Sequence, residues 1–264
     1  MTARTWVENI GRLTVEGVTE MGLGAALLAE SLYWLAAGPS QKQPVRVTAV
    51  LQQAMEIGIK ALPITAVLSV AIGVMVSIQG IHTLKIFGAE SQVTLGVALS
   101  VTREFAPLIT GILVAGRSGS ALAARLATMK INEEISALTV MGVSPVRYLV
   151  APALVAMMIV LPLLTWFSDC IGLAGAGLYI SADLGMQFGA YADELRNVLA
   201  VDDVMHGIGK SVLFAMLITI VGVVNGSIVT GGAEGVGRVT TRSVVHAIAA
   251  IVITDMIFAF IVTR

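Results

Sequence analysis

Five long apolar runs divide the chain. Residues 61–80 and 211–231 carry no charge at all; residues 91–116 are interrupted only by Arg103 and Glu104, residues 148–182 only by Asp169, and residues 243–263 only by Asp255. A helix rising 1.5 Å per residue needs about 20 apolar residues to cross about 30 Å of hydrocarbon, and each run meets that length. The runs are continuous rather than alternating, which predicts helices and not the strands of an outer-membrane barrel. The third run is longer than a crossing requires: as one helix it would extend about 50 Å. Pro162 and the cluster Gly172, Gly175 and Gly177 could bend it, so one long helix or a hairpin of two short ones fits its length.

Charge placement between the runs separates these cases. Residues 116–147 carry Arg117, Arg125, Lys130 and Arg147, residues 38–60 carry Lys42, Arg46 and Lys60, and Arg238 and Arg242 lie between the last two runs. Residues 81–90 hold Lys85 as their one Lys or Arg, and residues 183–203 set Arg196 among Asp183, Asp193, Glu194, Asp202 and Asp203. The positive-inside rule puts the first three regions in the cytoplasm and the last two outside. That alternation works only if residues 148–182 cross once. The expected fold is an all-α integral membrane protein with spans at about 61–80, 91–116, 148–182, 204–231 and 243–263 and its C-terminus outside.

Residues 1–38 follow a different rhythm. Trp6, Ile10, Leu13, Gly17, Met21, Gly24 and Leu28 recur every three to four residues, with Arg4, Glu8, Arg12, Glu16 and Glu20 between them. The pattern predicts an amphipathic helix lying in the cytoplasmic interface. A signal peptide fits poorly, because Glu8, Glu16 and Glu20 interrupt the apolar core it requires. Pro39 and Pro44 then mark a turn into the first span. The chain thus divides into an interfacial helix, 1–38, and a membrane domain, 39–264.

Composition narrows the class further. Apolar residues make up 56% of the 264 and charged residues 12%, against about 25% in a soluble domain. A net charge of −1 offers no signal for nucleic acid. The single cysteine, Cys170, excludes an internal disulfide and a cysteine-based metal cluster, and His82, His206 and His246 form no ligand-spaced pair.

The cytoplasmic loop, 117–147, is the most informative segment. Arg117-Ser118-Gly119-Ser120 reads as a polar turn. Asn132 can cap a short helix whose first turn holds Glu133 and Glu134, with Ile135, Leu138 and Met141 on one face. Gly142 ends it and Pro145 prevents its continuation. Such a helix must bury its apolar face, either on the protein's own loops or in a groove of a soluble partner.

Ionisable residues inside a membrane are rare and face an interior or a water-filled cavity. On the expected topology Arg103 lies about 14 Å in from the outer face, Lys210 about 9 Å and Asp255 about 11 Å. With Glu104 beside Arg103, the four charges share the outer half and sum to zero, which predicts a paired layer of Arg103 and Lys210 against Glu104 and Asp255. The layer either fixes helix packing or lies under an outward cavity and couples its closure to a motor. Asp169 either joins it or faces the outer interface, and Arg242, near the inner face, is expected to snorkel. Met75, with Leu68, Ile72, Leu95 and Leu99, either lines an adaptable apolar pocket or faces lipid. Gly172, Gly175, Gly177 and the Gly222/Gly226 pair permit close helix approach. Gly209-Lys210-Ser211 resembles the end of a phosphate-binding loop, but Val204 stands where that motif needs glycine, and no strand precedes it.

The stretches Arg103-Glu104-Phe105-Ala106-Pro107, Ala115-Gly116-Arg117-Ser118-Gly119-Ser120-Ala121, Glu133-Glu134-Ile135-Ser136-Ala137-Leu138 and Met141-Gly142-Val143-Ser144-Pro145 resemble the MlaE/YrbE family. These are permease subunits of ABC transporters that work with MCE proteins. The segment from Gly232 to Val245 is similar to the family's second signature. The resemblance implies five spans after an amphipathic helix, and a coupling helix, Glu133 to Met141, seated with Arg117 against a cytoplasmic ATPase. It implies a homodimer in the bacterial inner membrane, a periplasmic ring of MCE protein, room for a small cytoplasmic accessory subunit, and phospholipid cargo. The chain itself would need no cofactor, because ATP is used by the partner. Two positions depart from the family: Arg125 stands where an acid is usual and Ala127 where glycine is usual.

The function expected is therefore that of a non-enzymatic permease subunit moving phospholipids or related lipids between inner and outer membranes. The alternative is an ion-coupled secondary carrier using Glu104 and Asp255 as proton sites. Such carriers often contain internal repeats, and none is evident here. A membrane-bound lipid enzyme would need a clustered acidic or metal-binding motif at an interface, which is also not seen.

Overall fold

A computed structural model describes residues 3–38, 40 and 43–262, with the side chains of residues 3–10 and of Leu13 left undescribed. The helices in chain order are α1 (Ala3–Ala37), α2 (Val47–Ile86), α3 (Glu90–Ile131), α4 (Glu134–Val140), α5 (Val146–Leu184), α6 (Phe188–Val198), α7 (Val201–Ser227) and α8 (Gly232–Val262). No strand occurs among the described residues. Five of the helices, α2, α3, α5, α7 and α8, are long and apolar enough to cross a membrane, and the protein is a multi-pass membrane protein. One end of the bundle carries α4 and the other α6.

Every spanning helix overruns its apolar run at one end or at both, because polar residues can remain helical once outside hydrocarbon. α5 is a single helix of 39 residues. It continues through Pro162, as α2 does through Pro63, so neither proline ends its helix. α3 likewise runs straight through Arg117–Ser120, where the polar composition predicts a turn. There the helix widens into a π-helical turn, Ala115–Gly119, and the Ser120 hydroxyl donates to the Gly116 carbonyl at 2.6 Å. A serine satisfied in this way does not end the helix.

Small residues set the closest contacts. A Cβ on Gly73 of α2 would stand 2.0 Å from the Gly172 carbonyl oxygen of α5. Hydroxyls bridge the same layers, Ser69 to Ser168 at 2.7 Å and Thr110 to Thr165 at 2.8 Å. Buried polar pairs of this kind hold membrane helices where apolar burial gives no preference for protein over lipid. Gly222 and Gly226 of α7 face the Gly119 and Ala123 carbonyls of α3 with room for no side chain, so the GxxxG pair packs helices as expected. The main core joins Ile57, Met157, Leu161, Phe214, Ile218 and Ile251 from four helices.

α1 is continuous and packs on α7 and the start of α5. Gly24 and Ser31 are buried on its inner face and Gly17 is half-buried, while Met21 is exposed despite its place in the predicted stripe. Trp6, Ile10 and Leu13, together with Arg4, Glu8, Pro39 and Lys42, lie outside the described residues or side chains. Glu20 joins the inner face and bonds Arg242 of α8 at 2.6 Å. Arg242 is thus held by a carboxylate of α1.

The sequence reading leaves α6 as an acidic loop, whereas the structure makes it a helix anchored by Tyr191. The Tyr191 hydroxyl donates to the Leu173 carbonyl at 3.0 Å, and its ring fills the space above Gly177. Burial first, and the nearby Glu194 charge second, push its pKa from the ordinary 10 up to about 12. A folded-state value above the unfolded one stabilises the fold fully below pH 10 and loses that contribution as pH rises toward 12. Thermal melting of Tyr191→Phe is therefore expected to fall less steeply than wild type between those limits; parallel curves would contradict the assignment.

Candidate functional site

Two π-helical turns interrupt α3, and the first, Val101–Phe105, carries Arg103 and Glu104. The wider turn, followed by Pro107 without an N–H, splays the two consecutive charges toward two separate positions on α7, Asp203 and Lys210. Arg103 reaches the first turn of α7, where Nη2 and Nε lie 2.5 and 2.7 Å from Asp203 Oδ1. Asp203 is buried, and its other oxygen accepts the Ala200 backbone N–H at 2.9 Å, a carboxylate closing the helix N-terminus. Glu104 reaches Lys210 at 2.6 Å, and Lys210 also contacts Asp255 of α8 at 2.9 Å. The Lys210 ammonium stands 5.6 Å from the centre of the Phe258 ring.

Of the four sequence-selected charges the structure brings Glu104, Lys210 and Asp255 together and pairs Arg103 elsewhere. Lys210, 2% exposed, takes both selected carboxylates, and Arg103 takes a fifth residue, Asp203. Sequence reasoning missed Asp203 by grouping it with the outer acids; the available signal was its place three residues after Ala200 at a helix start. α7 can approach the bulge only through Gly207, whose added Cβ would lie 2.3 Å from the Thr102 carbonyl oxygen. Gly207→Ala is expected to force the helices apart and lower the melting temperature by several degrees; an unchanged melting temperature would show that the contact yields freely.

Asp169 joins neither the layer nor the interface. It is buried in α5, and neither carboxyl oxygen has a hydrogen-bond partner among the described residues. An unmet buried polar group costs about 1–3 kcal/mol. Asp169→Leu should therefore raise thermal stability in detergent, and a lower melting temperature would reveal a partner for this carboxyl.

Beside the charge layer an apolar cleft of about 470 Å³ opens between α2 and α3. Met75, Val76, Gln79, Val97, Ser100 and Phe105 are among the side chains lining it. Phe105 belongs to the same π turn as Arg103 and Glu104, so cleft and layer share one piece of backbone. Of the five residues selected for an apolar pocket, Met75 lines this cleft; Leu68, Ile72, Leu95 and Leu99 are half-buried and stand outside its lining.

At the opposite end, α4 protrudes. Its entry residue is Glu133, not Asn132: Glu133 takes a left-handed φ of +58°, and Asn132 instead ends α3. Glu133 accepts the Ser136 hydroxyl at 2.6 Å, and Glu134 accepts Asn132 Nδ2 at 3.2 Å. The helix closes with Gly142 N–H to Thr139 O at 3.0 Å and Val143 N–H to Leu138 O at 2.9 Å, with Gly142 at φ +74°. Ile135 and Leu138 pack on a cluster with Leu126 and Leu149, whereas Val140 is 89% and Met141 66% exposed. The face expected to be single is thus divided between the protein's own core and solvent. Arg117 lies apart from α4, in a cleft with Glu56 and Arg125.

Residues 50–261 match the profile of the family described as Permease MlaE. A probable ABC transporter permease protein of Rickettsia typhi is 32% identical over 246 residues, covering 93% of both chains. The intermembrane phospholipid transport system permease protein MlaE of Haemophilus influenzae is 34% identical, covering 80% of this chain and 81% of its own. The chloroplastic protein TRIGALACTOSYLDIACYLGLYCEROL 1 of Arabidopsis thaliana is 34% identical over 79% of this chain and 60% of its own.

Proposed function

Because the chain belongs to the MlaE permease family, as an ABC transporter permease subunit that is not itself catalytic, we propose that it moves phospholipid between inner and outer membranes. ATP hydrolysis falls to a partner ATPase. The observation that carries the cargo assignment is the apolar cleft sharing its π turn with the charge layer. Acyl chains suit its Met75 and Val97 walls, while Gln79 and Ser100 offer hydrogen bonds to a headgroup. The name of the Haemophilus relative supports the same cargo.

On this reading the α4 end faces the cytoplasm of a bacterial inner membrane and the α6 end faces the periplasm, where a ring of MCE protein exchanges lipid with the cleft. Glu133, Glu134, Ile135, Leu138 and Met141 form the coupling element, the outer turn gripping the ATPase and the inner face passing its motion to the bundle. Two copies complete the path around a two-fold axis. Reading Glu104 and Asp255 as proton sites of a carrier is less well supported, because both serve as counter-ions of Lys210. The test is fluorescent phospholipid transfer from vesicles containing the permease, its ATPase and MCE protein. Met75→Trp should slow transfer at least tenfold while ATP hydrolysis persists; undiminished transfer would exclude the cleft from the path.

A further inference from the structure

A second cavity, of about 310 Å³, opens at the α4 end between α2, α3 and α5. Arg117 and Arg125 line its rim with Gln53 and Ser118. Neither arginine makes an ion pair among the described residues, and Arg117 Nη1 is buried without any hydrogen-bond partner among them. The one acid in the lining, Glu56, is already bonded to Lys60 at 3.1 Å. The rim therefore keeps two uncompensated positive charges. The floor is different: Ile57 and Met157 belong to the main apolar core.

We propose that this cavity binds an anionic glycerophospholipid of the cytoplasmic leaflet, its phosphate on Arg117 and Arg125 and its first methylenes over Ile57 and Met157. A guanidinium with an unmet N–H is matched by phosphate oxygens, which accept its forked donors. A basic recess between membrane helices on the cytoplasmic side suits an acidic headgroup, and an apolar floor adds nothing to the binding of a soluble anion. The same gradient disfavours an acidic loop of a protein partner, which would leave the floor empty. Arg125 is decisive, since an acid at that position would offset the Arg117 charge and leave the rim without its positive excess. The inference rests on the cytoplasmic placement of the α4 end, not on the route taken by cargo.

Native mass spectrometry of the permease–ATPase complex, with dioleoylphosphatidylglycerol or dioleoylphosphatidylethanolamine added, tests it. Retention of the glycerol lipid should exceed that of the ethanolamine lipid at least fivefold. Arg125→Glu, at an exposed position, and Arg117→Gln should each reduce it to the ethanolamine level, with Arg117→Lys intermediate. Equal retention of the two lipids, or variants that bind as wild type does, overturns the proposal. So does loss of the ATPase from Arg125→Glu with lipid retention intact, which would make the rim a protein contact. Glycerol 1-phosphate displacing the lipid at equal concentration would overturn it too, by showing that the floor contributes nothing. ATP turnover and lipid transfer measured alongside separate this outcome from failure of the transport reading.

Discussion

Lys210→Met should remove about 3 kcal/mol of stability and abolish lipid transfer. The substitution leaves two carboxylates facing each other without the ammonium between them, and breaking a buried pair from one side costs about 3–5 kcal/mol. The lower end applies because the Glu104 side chain is 41% exposed and can regain water, whereas Asp255 is 13% exposed and cannot readily do so. Arg103→Ala is milder, since Arg103 is 42% exposed and the Asp203 it leaves keeps its bond to the Ala200 N–H. Adding Glu104→Gln and Asp255→Asn to Lys210→Met separates the roles of the layer. Recovered stability with transfer still absent makes the layer part of the transport cycle. Recovery of both makes it a packing device, and a single Lys210→Met with wild-type melting would show the lysine hydrated.

Reversing Glu133 and Glu134 together to lysine is expected to uncouple the ATPase while leaving insertion and melting unchanged. Both side chains are exposed, so folding loses little beyond the Ser136 and Asn132 hydrogen bonds. The protruding turn nonetheless changes charge by four units, enough to repel a surface that had fitted two acids. Lipid-stimulated ATP hydrolysis should fall at least tenfold and co-purification of the ATPase should weaken. If turnover and co-purification both stay as they were, α4 is not the coupling element. Val140→Asp and Met141→Asp probe the same contact from its apolar side and should act in the same direction.

The spans are legible because hydrocarbon thickness imposes its length on any crossing helix, and residues 148–182 cross as one helix once charge bias is applied. Helix ends are not legible in the same way, because nothing in water forbids Arg117–Lys130 from extending α3. The turn predicted at Arg117–Ser120 fails for that reason: its serine has a local helical acceptor. α6 shows a missed periodicity, since Phe188, Tyr191 and Leu195 recur at helical spacing within a segment read only for its acids. Depth alone groups Arg103, Glu104, Lys210 and Asp255, and the structure joins the last three. Partner choice depends on the π turn at Val101–Phe105, which splays neighbouring side chains in a way that no linear pattern encodes.

The most direct test of the central claim, a lipid pathway without a motor of its own, is phospholipid transfer from proteoliposomes to acceptor MCE protein, measured with and without the ATPase. The permease alone, given ATP, should hydrolyse none and transfer no more lipid than empty vesicles, and adding the ATPase should produce ATP-dependent transfer. Sustained transfer by the permease alone, driven by an ion gradient and indifferent to the ATPase, would contradict that claim.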